Sequence, residues 1–164
     1  MNNDASQNDD TVLKSGRKLQ LVHAGSSQFG IFADEISTIV AWQEPTPLPR
    51  APGSVLGVVN IQGRMLTVLD LATLPDLAAT LSAGQRQIPR HIIALRGDEQ
   101  LALAADSVDE TAEFTPGDFT TTPETVTTPV LGVLQRRGAE IRILNIQGLF
   151  PTALQGRQRR QRQF

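Results

Sequence analysis

Cysteine and tyrosine are both missing from this 164-residue chain. Without cysteine there are no disulfides, no thiolate metal sites and no cysteine nucleophile, which fits a reducing compartment. Aromatics make up only 4% of the residues, so the core must rest on Leu, Ile, Val and Ala. Histidine is nearly absent too. His23 and His91 each fall in a predicted strand, with neither metal-ligand spacing nor a flagged Ser/acid pair beside them, and a structural role is expected for both. The glycines build no phosphate loop, since Gly53 and Gly57 precede strand residues and no lysine follows in the required pattern. No apolar run approaches the roughly 20 residues that cross a bilayer, and the polar start does not resemble a signal peptide. The sequence therefore predicts a soluble cytoplasmic protein of one domain's length, with no cofactor, no metal and no catalytic residue.

The net charge of −2 hides an asymmetry. Arg157, Arg159, Arg160 and Arg162 give the last eight residues +4 with no acid, so the remainder carries −6. Residues 1 to about 18 and 151–164 read as a disordered leader and a basic flexible tail. Such a tail could bind nucleic acid or an anionic membrane, which gives an alternative function, a small β-barrel surface binder. No aromatic stacking platform accompanies the tail, however, and the body is acidic. Asp34 and Asp106 each open a similar segment. They read as turn or cap residues rather than as a carboxylate pair, and Asp70 reads the same way.

What the chain does have is a repeated pattern. Val55–Leu74 reads VLGVVNIQGRMLTVLDLATL, two apolar strand-like runs joined across Gln62-Gly63-Arg64. Val130–Leu149 reads VLGVLQRRGAEIRILNIQGL. A shift of 75 positions, the distance from Val55 to Val130, brings Val55, Leu56, Gly57, Val58, Gly63, Leu69 and Leu74 onto identical residues. Upstream, LQLVHA and Gln28–Phe32 form a hairpin around Gly25. A shift of 72 places Gly25, Gln28, Ala33 and Asp34 on Gly97, Gln100, Ala105 and Asp106 of a second hairpin, His91–Ala104. Each hairpin leads through an Asp-headed segment and a Pro- or Thr-rich crossing, 45–52 and 115–129, to a strand pair. Asp34–Trp42 satisfies both helical and strand spacing, and the spacing does not decide between them. Leu71–Leu81 has helical spacing with Pro75 near its start. Ten or so short strands with regular turns predict an all-β, barrel-class fold built from two related halves.

The stretch GVVNIQGRMLTVLDL, Gly57–Leu71, resembles the CheW-like family of bacterial chemotaxis coupling proteins. The likeness extends to LVHAGSSQFGIFADEISTIV, to Pro49-Arg50-Ala51-Pro52, to HIIALRGDEQLALAADSVDE and to LGVLQRRGAEIRILNIQGLF, so that about residues 19–150 are covered in order. The resemblance implies two intertwined, small five-stranded β-barrels with short helical segments. Their subdomains would be about 19–70 closed by 140–150, and about 71–139. It also implies a non-catalytic adaptor whose partners are a histidine kinase regulatory domain, itself CheW-like, and a chemoreceptor cytoplasmic tip in a membrane-attached array. By position, Ile36 matches an apolar site tied to receptor binding, and Val108 is its equivalent in the second half. Asn60 and Gly63 match the motif turn. Gln62 stands where the family usually carries arginine, losing a charge and a bidentate fork. Ile39 and Val58 complete the expected apolar partner-binding strip. The lone tryptophan, Trp42, is expected to fill core, with an interface anchor as its other reading.

Overall fold

The computed structural model describes residues 17–25, 27–73, 89–97, 100–114, 117, 119–121 and 129–149. The leader through residue 16, the expected helix from residue 74 onward, most of the second crossing and the basic tail lie outside the described residues. The strands are β1 (Lys18–Ala24), β2 (Ser27–Phe32), β3 (Ile36–Ala41), β4 (Val55–Ile61), β5 (Arg64–Asp70), β6 (His91–Leu95), β7 (Leu101–Ala105), β8 (Ser107–Glu113), β9 (Phe119–Thr121), β10 (Val130–Arg136) and β11 (Ala139–Leu144). Apart from a lone 3-10 position at Gly117, helix among the described residues is limited to a 3-10 turn at Ala33–Glu35 and one turn at 146–149. Asp34–Trp42 thus resolves into a short turn followed by a strand.

The strands form two sheets, ordered β8-β1-β2-β11-β10-β9 and β3-β6-β7-β5-β4. The fold is mostly β, as expected. The implied barrels take the form of sheets that hydrogen bonds do not close: β8 and β9 end one, β3 and β4 the other. Residues 19–70 contribute to both sheets, so the sheets divide the chain by exchange of strands rather than by consecutive stretches.

The sequence repeat is reproduced in the hydrogen-bonded ladders. In the β4–β5 pair, Val58 faces Thr67, Asn60 faces Met65 and Ile61 faces Arg64, with a register slip between Val55 and Gly57. In β10–β11, Val133 faces Arg142, Gln135 faces Glu140 and Arg136 faces Ala139, with the slip between Val130 and Gly132. Every one of these positions, bulge included, is its counterpart moved by 75. Both turns place two residues in the left-handed region, Gln62 (φ 54°) with Gly63 (83°) and Arg137 (53°) with Gly138 (77°). Such a two-residue turn matches the twist of a hairpin.

The halves are traded. The first half's β3 pairs antiparallel with β6 of the second, while the second half's β8 pairs with β1 of the first. The parallel pairings follow the same rule, β5 with β7 and β11 with β2. Smaller bonds recur as well. The Asp70 amide donates to the Ser54 carbonyl and the Asn145 amide to the Pro129 carbonyl, both at 2.8 Å. Thr46 bridges the outer edge of β4 at Val58, where β9 covers β10 with three pairs. At both places glycine is required: a Cβ on Gly57 would collide with the Thr46 carbonyl, and one on Gly132 with the Phe119 ring and the Thr120 carbonyl.

The middle strands of the sheets are buried on both faces. A central cluster between the sheets joins Val22, Phe29 and Ile31 to Leu69, Ile93, Leu103 and Leu144. The far side of the first sheet wraps around Leu19, Leu21, Phe32, Phe114, Leu134 and Ile141. The far side of the second wraps around Val59, Leu66, Val68, Ile92, Ala94, Ala102 and Ala104. Burial on both sides explains the near-continuous apolar runs in β6 and β7, such as LALAA, in place of alternation.

Candidate partner-binding surface

The β4–β5 hairpin divides its side chains by strand alternation. Val59, Ile61, Leu66 and Val68 point inward to the second sheet's outer core. Val58, Asn60, Met65 and Thr67 share the opposite face through the cross-strand pairs Val58–Thr67 and Asn60–Met65. Met65 is 55% exposed, and with Leu48 it is one of two large hydrophobic side chains that stand out in solvent among the described residues. At the tip, the Gly63 amide donates to Asn60 Oδ1 at 3.1 Å, which ties the turn to its strand and leaves the Gln62 side chain exposed. Beside the turn, the Arg64 guanidinium donates to the Gly97 carbonyl at 3.3 Å.

The structure thus gathers four of the expected residues, Val58, Asn60, Gln62 and Gly63, on one hairpin. The other three sit elsewhere. Ile36 and Ile39 lie on β3, at the opposite end of the same sheet, and Val108 lies on β8 of the other sheet, facing Val22. All three are half-buried and pack against the central cluster. Trp42 is half-buried against the second sheet's outer core, the packing role expected of it.

Several polar groups are paired between elements. His23 Nδ1 lies 2.5 Å from Asp109 Oδ2, and the Ser107 hydroxyl donates to Asp109 Oδ1 at 3.3 Å. Serine therefore bonds the acid rather than the histidine, which is not the order a nucleophilic triad needs. Beside His23, a cavity of about 360 Å³ is lined by Ser27, Gln28, Glu140 and Arg142. Asp34 pairs with Arg17 at 2.8 Å, and Asp106 accepts from the Gly25 amide at 2.8 Å, so both serve as pairing or turn residues. Asp70, buried, accepts from the Ala72 amide at 3.1 Å. Burial pushes the Glu35 carboxyl up to about 7; Arg17 opposes the shift and Asp34 adds to it. Nothing in the sequence distinguished Asp109 or Glu35, because His23 and Arg17, which face them, lie 86 and 18 positions away. Among the described residues no group of three or more His, Cys, Asp or Glu could hold a metal ion, and no helix is long and apolar enough to cross a membrane.

Comparison with known proteins agrees with this architecture. The chain is similar to the chemotaxis protein CheW of Rhizobium meliloti, 26% identical over 145 residues that cover 86% of this chain and 92% of that one. Protein FrzA of Myxococcus xanthus is 28% identical, with 80% of this chain and 83% of that protein covered. The crystal structure of the scaffolding protein TtCheW from Thermoanaerobacter tengcongensis shares the fold, with a TM-score of 0.68 and 21% identity over 82% of this chain and 87% of that one. Residues 18–154 match the family model for the CheW-like domain in one stretch, and the chain belongs to that family.

Proposed function

We propose that this protein is a non-catalytic adaptor that couples chemoreceptors to a chemotaxis-type histidine kinase. The observation that carries the reading is the unbroken family match over residues 18–154, which spans both exchanged halves. A kinase regulatory domain and a receptor cytoplasmic tip are the partners, and the protein works in the cytoplasm, recruited to membrane-attached arrays. Each curled sheet acts as one small barrel, and the adaptor domain runs from about 19 to 150, with the leader and tail outside it.

Binding energy alone performs this task. The outward face of the β4–β5 hairpin offers an apolar contact at Val58 and Met65 beside hydrogen-bonding groups on Asn60 and Gln62, a mixture suited to a partner interface. Ile36, Ile39 and Val108 form a second contact where the two sheets meet. Because β3, which carries Ile36 and Ile39, and β4, which carries Val58 and Asn60, are the two edge strands of the second sheet, one adaptor can hold two partners at once. Titration calorimetry of the full chain against the cognate kinase regulatory domain and against a receptor signalling tip tests the reading. Binding of either tighter than about 50 μM is expected; binding of neither overturns it. Nothing in the comparisons favours the alternative based on the arginine tail.

A further inference from the structure

The 3-10 turn Ala33–Glu35 is the bridge by which the chain leaves the first sheet, at β2, and enters the second, at β3. It is held by few bonds. The Ile36 amide closes it on the Ala33 carbonyl, and the Arg96 amide donates to the Glu35 carbonyl at 2.8 Å while Arg96 Nε donates to the Ile36 carbonyl at 3.1 Å. Within this turn, Glu35 turns its side chain inward, and its Oε1 is buried with no hydrogen-bond partner. A buried oxygen left without a donor is costly, and far more so when it carries charge. The neighbours relieve it only in part, through the charge of Arg17. Arg17 spends its Nε and Nη2 on Asp34 at 3.2 and 2.8 Å and stacks over the Phe32 ring at 3.6 Å, and Asp34 is itself an acid. On β1, which packs against the turn, Lys18 is exposed and His23 is engaged with Asp109.

We propose that Glu35 makes the bridge between the two sheets proton-sensitive: the neutral side chain seats the turn, and the ionised one loosens it and the start of β3. When the turn opens, Glu35 meets water and regains the ordinary carboxyl value of 4.5, whereas the seated turn holds the proton to about 7. Opening is hardest below 4.5, becomes easier as the pH rises from 4.5 to 7, and does not change further above 7. Acidification below neutrality therefore tightens the crossover and fixes Ile36 on the central core.

Amide hydrogen exchange on the free, full-length protein tests this without any partner. The reporting amides are Ile36 and Arg96, and Ile93 in the core of β6 is the reference for global opening. Relative to Ile93, and after correction for intrinsic exchange, protection at Ile36 and Arg96 is expected to fall about fiftyfold between pH 5 and 7.5. In Glu35→Gln, which keeps the shape and cannot ionise, the same ratio should stay flat. Carbon-13 NMR of the Glu35 carboxyl gives a second readout that needs no variant, with a midpoint expected near 7. A midpoint near 4.5, or the same pH slope in wild type and Glu35→Gln, overturns the proposal.

Discussion

The two sheets share their strand-pair geometry and differ in what fills them. Around the first, Phe32 and Phe114 meet edge to face at 5.7 Å, and Phe119 from β9 adds a second such contact at 5.3 Å. Around the second, the equivalent of Phe32 is Ala104, the equivalent of Phe114 is Trp42, and Pro45 stands where Phe119 would be. One core is closed by three rings, and the other by small residues under a single half-buried indole. The ladders nevertheless agree pair for pair. The backbone of this fold is thus held by registers, bulges and obligatory glycines, and the volume inside each sheet is free to be filled by different side chains.

That contrast can be broken most strongly at the two equivalent aromatics. Phe114→Ala removes the middle ring of a closed cluster and is expected to cost about 3–5 kcal/mol, whereas Trp42→Ala, half in water already, should cost about 2 kcal/mol. Urea unfolding that shifts both midpoints equally would show that the two cores are energetically alike despite their contents. Next come the glycines. Gly57→Ala meets backbone at Thr46 and also sits at φ 144°, so a loss of about 2–4 kcal/mol is expected. Gly132→Ala meets a ring that can move as well as a carbonyl, and about 1–3 kcal/mol should be lost, measured as a smaller drop in Tm.

Smaller effects sharpen the comparison of the two hairpin tips. Asn60→Ala breaks the bond to the Gly63 amide and should cost about 1 kcal/mol, while Gln135→Ala, at the matching position, should change stability by less than about 0.5 kcal/mol. Smallest of all, Gln62→Asn and Arg137→Asn place a residue tolerant of left-handed φ in turns only 1° apart in φ, 54° and 53°. Each should gain about 0.3–0.5 kcal/mol, and the gains should be equal. Unequal gains in denaturant midpoint would mean that the tips differ by more than their side chains.

Much of this was legible in the chain. Identities at a fixed spacing located the β4–β5 and β10–β11 hairpins and even their common turn, because a repeated backbone conserves its glycines and inward positions. The exchange of strands between the halves was not visible to pattern reading, since pairings such as Val22 with Val108 and Ile39 with Ile93 depend on three-dimensional closure. The β9 strand was missed because its crossing is rich in Thr and Pro, although Phe119-Thr120-Thr121 matches the Pro45-Thr46 bridge position. For the site, the motif identified the hairpin tip, while exposure of Met65 and the burial of Glu35 emerged only from packing. Ile36, Ile39 and Val108 were legible as apolar positions but not as residues that sit where the two sheets meet.

The parallel pairing of β2 with β11 has a consequence for how this protein is made. β2 emerges from the ribosome well before β11, the strand that completes its edge. At ordinary elongation rates the separation from Phe32 to Ala139 corresponds to on the order of ten seconds. During that interval the nascent chain carries an open, apolar strand edge in SQFGIF, a template for unwanted association. A chaperone that shields extended apolar segments should therefore raise the yield of the full-length protein far more than its modest size alone would suggest.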